Sequence, residues 1–177
     1  MSTSLKIKTR AVDLSNWSDM EALFESKGGP QYCWCMPYRP MPTAERNSRP
    51  AKKAALQERV LQGVPIGLLA YLDGAPVAWC SIAPRETYSG LGGDQQLEKV
   101  WSLACFFIKR EYRRQGMMTA LIQAACKYAR KKRAKYVEAY PVDEDSPSYR
   151  FMGFKPVFEA AGFALTGKEG SRRHVMV

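Results

Sequence analysis

Residues 111–121 read Glu-Tyr-Arg-Arg-Gln-Gly-Met-Met-Thr-Ala-Leu and join an apolar run to a segment of helical period. The first turn of a helix carries N–H groups without intrahelical acceptors, at the positive end of its dipole. A phosphate is held at such a turn by backbone alone. Gly116 permits close backbone approach, and Arg113 and Arg114 add charge. The segment therefore either binds a phosphate or forms a tight turn with solvated arginines. Glu138 is the second candidate, as the only carboxylate in 136–142, on one strand face with Tyr136 and Tyr140. It suits either a general base or an ion pair with a nearby Lys or Arg. The third is the aromatic loop 31–39, Gln-Tyr-Cys-Trp-Cys-Met-Pro-Tyr-Arg. Its rings either grip a cationic amine or form a hydrophobic plug or dimer contact. Arg85, Glu86 and Tyr88 follow a strand and either reach the same cleft or lie on a surface loop.

Other chemistries find little support. The single histidine is His174, and the five cysteines stand at 33, 35, 80, 105 and 126. Cys33 and Cys35 flank Trp34, which is not zinc-site spacing, so no metal is expected. Residues 162–168 match the start of a P-loop, but Glu169 stands where Ser or Thr is needed and the segment follows a helix. A formal net charge of +10 favours anionic ligands, including a multiply phosphorylated cofactor, and repels polycationic acceptors at long range. The basic run 127–135 reads as a solvated helix end, and the aromatics form no RNA-binding motif. Nucleic acid is therefore not an expected partner. The N-terminus lacks a hydrophobic signal core, no apolar stretch is long enough to span a bilayer, and the odd cysteine count does not suit a bridged secreted protein. The expectation is a cytoplasmic protein with no membrane partner.

These residues need elements to position them. The 177 residues suit a single domain, 1–177. Alternation predicts a strand over 5–12, followed by a helix capped by Ser15 and stopped at Gly28. A loop covers 30–49. Pro50 opens a second helix carrying Ala54, Leu56, Val60 and Leu61. Strands at 66–72 and 77–83 flank an Asp73-Gly74 hairpin turn. Residues 100–108 read as a strand buried on both faces, 117–129 as an amphipathic helix, and 136–142 as a strand. That order is a βαβ unit with parallel strands. A short helix over 155–161 and two strands around a turn at 167–170 complete the chain.

Arg113-Arg114-Gln115-Gly116-Met117-Met118 resembles the signature Q/R-x-x-G-x-G/A of the GNAT N-acetyltransferase superfamily. The strand before it, the helix after it, and the late Glu159-Ala160-Ala161-Gly162-Phe163 occur in that family's order. The likeness is good over 66–165 and looser before it. Residues 79–85 and 100–102 also resemble an uncharacterised bacterial subgroup. The fold implied is α/β: a GNAT-like mixed, largely antiparallel central sheet with a parallel βαβ pair, flanked by helices on both faces. The activity implied is transfer of acetyl from acetyl-CoA to a primary amine of a small molecule or peptide, by direct attack and without metal. Phe106, Phe107 and Ile108 would pair with the pantetheine arm, and Gln115, Gly116, Met117, Met118 and Thr119, with Arg113 and Arg114, would hold the pyrophosphate. Trp34, Tyr38 and Arg85 would line the acceptor pocket, and a homodimer is expected. Glu138 would be the base. Two departures stand out. Met118 replaces the usual Gly or Ala, and Phe158 replaces a tyrosine that protonates the leaving thiolate, leaving Tyr140 or Tyr149 as the acid. Both departures also suit a non-catalytic acyl-CoA sensor.

Overall fold

The computed structural model describes residues 6–177, so the N-terminal segment and Leu5, the expected start of the first strand, lie outside the described residues. The strands are β1 (Lys8–Ala11), β2 (Leu68–Leu72), β3 (Ala75–Pro84), β4 (Val100–Ile108), β5 (Tyr136–Ala139), β6 (Leu165–Glu169) and β7 (Arg173–Met176). The helices are α1 (Trp17–Phe24), α2 (Arg49–Leu61), α3 (Met117–Lys131) and α4 (Lys155–Ala160). The sheet runs β1-β2-β3-β4-β5-β7-β6, and only the β4–β5 pair is parallel.

Alternation along the central strands feeds two cores. Ala78, Cys80 and Ile82 of β3 face Leu121, Ile122 and Ala125 of α3. Trp79 faces the other way, into Met20, Leu23 and Phe24 of α1 and Leu56 of α2. The helices thus cover both faces of the sheet. Alternation breaks once in β4. Ser81 opposes Cys105 and Ile82 opposes Leu103, so Ala104 is left unpaired as a bulge. As a result Leu103 and Phe106, three positions apart, enter the same core.

Several boundaries differ from expectation. Ser15 does not cap α1. Its hydroxyl bonds Asp13, Asn16 takes the cap position, and the Asn16 carboxamide is spent on Asp13 N–H and Ala11 O. Ser48 caps α2 by accepting from Ala51 N–H at 3.2 Å, and Leu61 is exposed rather than packed. β5 stops at Ala139 instead of 142, because Pro141 has no N–H for the ladder. Val142 instead bridges Phe154. Gly167 lies within β6, and the last turn falls at Gly170, whose φ is +62°.

Candidate active site

β4 and β5 pair only from Val100↔Tyr136 to Leu103↔Ala139. Beyond the bulge the strands part, and no strand among the described residues pairs with that edge of 104–108. A cleft of about 880 Å³ opens there, lined by Ala104 to Ile108, by Arg113, Arg114 and Gly116 to Thr119, and by Phe154 and Val157. At its far end Gly116 takes φ +77°, and α3 begins at Met117. The N–H groups of residues 114–119 find no acceptor among the described residues, whereas Ala120 N–H bonds Gly116 O at 3.1 Å. Arg113 Nε donates to Ile108 O at 2.9 Å and Gln115 Nε2 to Glu111 O at 2.7 Å, bracing the turn. The arrangement offers a row of amide donors beside an unpaired strand edge: a seat for phosphate and a partner for an extended amide chain.

The opposite wall comes from the aromatic loop. Tyr32, Cys33, Cys35, Tyr38 and Arg39 line it with Ser81, Tyr88 and Cys105. Arg39 is buried and donates to Cys35 O, to Ile66 O at 2.9 Å, to Ser81 Oγ at 2.9 Å and to Tyr88 Oη at 3.3 Å. The two hydroxyls also bond each other at 2.6 Å. Burial pushes Tyr88 up to about 12 despite Arg39, so it stays a phenol. Sequence reasoning passed over Arg39, Cys35, Cys105 and Ser81. The sign that could have found them is Arg39, a cation closing a run of aromatics.

Several expected site residues lie elsewhere. Trp34 is core: it stacks on Trp17 with ring centroids 6.1 Å apart, packs on Phe24, and carries Lys53 over its face. Arg85 does not reach the cleft. It donates to Asp94 O, Leu97 O and Glu138 Oε1, the last at 3.2 Å, and borders a separate hollow of about 350 Å³. Glu138 is 0% exposed; it accepts from Arg85, from Asp94 N–H at 3.1 Å and from Tyr140 Oη at 2.8 Å. It thereby clamps the 90–97 loop and faces no open space. Tyr140 is equally buried, bonded to Glu138 and to Ser102 Oγ at 2.7 Å, and burial followed by the Glu138 charge pushes its phenol far up. Tyr149 sits outside the cleft lining, and the Arg173 guanidinium lies 5.3 Å from the Tyr38 ring and 5.7 Å from its own. Phe158 is core, edge-on to Phe106 and Phe163. Of the expected acceptor residues, only Tyr38 stands in the cleft.

Comparison with known proteins bears on the fold and on the cleft. The family model described as Acetyltransferase (GNAT) family matches residues 31–154. The PaiA N-acetyltransferase of Thermoplasma acidophilum, solved in complex with coenzyme A, is 14% identical with a TM-score of 0.59, over 97% of this chain and 98% of that one. The aminoglycoside 6'-N-acetyltransferase AAC(6')-Ih from Acinetobacter baumannii is 20% identical with a TM-score of 0.56, over 93% and 95%. AAC(6')-Iy, solved with the bisubstrate analogue CoA-S-monomethyl-acetylneamine, is 19% identical with a TM-score of 0.60, again over 93% and 95%. At such identities the likeness is one of fold. Among curated proteins none matches.

Proposed function

The chain belongs to the acetyltransferase (GNAT) family, and from that premise we propose that it moves an acetyl group from acetyl-CoA to a primary amine of a small molecule or peptide. One observation carries this reading: the open N–H groups of 114–119 and the unpaired edge of β4 face the same cleft. The amides take the pyrophosphate, helped by Arg113 and Arg114. Amide groups of the pantetheine arm continue the sheet along Phe106, Phe107 and Ile108. The thioester then lies at the bulge, beside Ala104 and Cys105. The acceptor enters from the wall formed by Tyr32 and Tyr38, whose ring faces attract an ammonium.

A free alkylamine has a pKa of about 10.4, so the acceptor must lose a proton before its nitrogen forms a bond. Direct attack also needs a donor for the departing thiolate. Glu138 and Tyr140 are spent on each other and on Arg85. Residues that do line the cleft beside the bulge include Ser81, Tyr88, Cys35 and Cys105. A thiol-release screen across amine panels, with mass analysis of the product, tests the reading. It predicts CoA release that depends on one class of amine and an N-acetyl product. Tight acetyl-CoA binding with no release across the panel would favour the acyl-CoA sensor instead.

A further inference from the structure

The acceptor wall holds a buried cation with no carboxylate beside it. Arg39 is 1% exposed and, among the described residues, no carboxylate lies within ion-pair distance of it. Its acceptors are all neutral oxygens: the Cys35 and Ile66 carbonyls and the Ser81 and Tyr88 hydroxyls. A desolvated guanidinium calls for a counter-charge, and neutral oxygens supply none. The hydroxyls add a second feature. Each oxygen accepts from Arg39, and the two share one hydrogen across 2.6 Å. Two hydroxyls carry two hydrogens, so one is left with no acceptor among the described residues. Burial holds Tyr88 up at about 12, so it keeps its hydrogen at neutral pH. Arg39, Ser81 and Tyr88 all line the cleft. The wall therefore offers a free O–H backed by a buried positive charge, which is a seat for an anion.

The surroundings agree in sign. Tyr38 packs against the cluster that holds Tyr88 and the bulge residue Ala104, and it carries the Arg173 guanidinium over its ring at 5.3 Å. The carboxylate in the cleft lining is Glu144, an exposed residue of the segment after β5. Arg113 and Arg114 have the pyrophosphate to hold, whereas Arg39 has no anion in the acetyl-CoA reading. We propose that the acceptor is an amino acid, a primary amine with a carboxylate a few bonds away, and that Arg39, Ser81 and Tyr88 form the seat for that carboxylate. The inference rests on the acetyl-transfer reading above and names its substrate class. The hydroxyl pair touches the carboxylate, and Arg39 is a positioning residue that acts through it. With the carboxylate seated there, the amine is brought to the bulge beside Ala104, and no bond to the three residues is made or broken. A bare polyamine is disfavoured twice, by the Arg39 charge and by the net charge of +10.

The test compares acetyl transfer to a set of amino acids with transfer to two relatives of each. The primary amide keeps the size and loses the charge, and the decarboxylated amine loses the group altogether. The amide's amine is less basic than the amino acid's and the decarboxylated amine is more basic, so a preference over both is not one of basicity. The wild type is predicted to favour the carboxylate by roughly 10- to 100-fold in kcat/KM, the span of a hydrogen bond to a charged group. Arg39→Met, and Ser81→Ala combined with Tyr88→Phe, should erase that preference chiefly by raising KM for the amino acid, while acetyl-CoA binding persists and shows each variant to be folded. Should a variant fail to fold, the wild-type series decides the substrate class by itself. Equal or better transfer to the amides and amines overturns the inference and leaves the acetyl-transfer reading standing. A carboxylate preference that survives in the folded variants overturns the Arg39 seat. If the wild type binds acetyl-CoA yet transfers to no amine of any kind, the transfer reading falls and this inference falls with it.

Discussion

Gly116 turns the chain into α3 with φ +77°, and a Cβ built there meets nothing within 4 Å. The requirement is therefore conformational rather than steric. A left-handed β-branched residue costs at least about 1–2 kcal/mol, and relief of that strain would swing the amides of 114–119 out of line. Gly116→Val is predicted to weaken acetyl-CoA binding roughly tenfold, the equivalent of about 1.4 kcal/mol by titration, while the chain stays folded. Glu138 is predicted to behave differently. Glu138→Gln leaves Arg85 uncompensated at a mostly buried site, and thermal unfolding should show a loss of about 3 kcal/mol, or roughly 6–12 °C in Tm. An unchanged Tm with turnover lost would return Glu138 to the chemistry. Gly116 was legible because a glycine between arginines and a helical stripe has few other uses. Glu138 was not, because its partner Arg85 lies 53 positions away and strand alternation gives a face without saying what covers it.

The site exists because two elements part company. Pro141 ends β5 after Ala139, and the Ala104 bulge turns β4 at the same level. The order of strand, helix and strand was readable from apolar period alone, as was the Asp73-Gly74 hairpin, where both residues have positive φ. The bulge was not readable, since a nearly all-apolar run shows no polar–apolar pattern whose interruption would mark it. Nor was the placement of Trp34: ring spacing cannot tell a cation grip from a seat between Trp17 and Phe24. α4 shows how the same packing limits repair. Its Phe158 stands in the core among Phe106, Phe163 and Gly153. Phe158→Tyr would bury a hydroxyl there, at about 1–3 kcal/mol if it finds no partner. A lower Tm with no gain in acetyl transfer is predicted. A gain in turnover at unchanged Tm would show that the core position communicates with the thioester.

For the whole molecule, the dominant physical fact is its charge of +10. Arg113 and Arg114 line the cleft beside the amide row, and a field of that sign favours a polyanionic ligand. Screening shortens that reach, with a Debye length of about 10 Å at 0.1 M salt and about 3 Å at 1 M. Acetyl-CoA binding should therefore weaken with salt but survive it, because the backbone donors do not depend on long-range field. Fold class was legible at this scale from element order. The use of the charge was not, because composition does not say where charges gather. No helix among the described residues is long and apolar enough to cross a membrane. The central claim is that the amides of 114–119 and the open edge of β4 form an acetyl-CoA site. A calorimetric titration of acetyl-CoA into the wild-type chain, repeated on Gly116→Val, tests it most directly. The prediction is single-site binding in the micromolar range that weakens markedly in the variant. A folded wild-type protein that gives no binding signal at millimolar acetyl-CoA, or a variant that binds as tightly as the wild type, would contradict it.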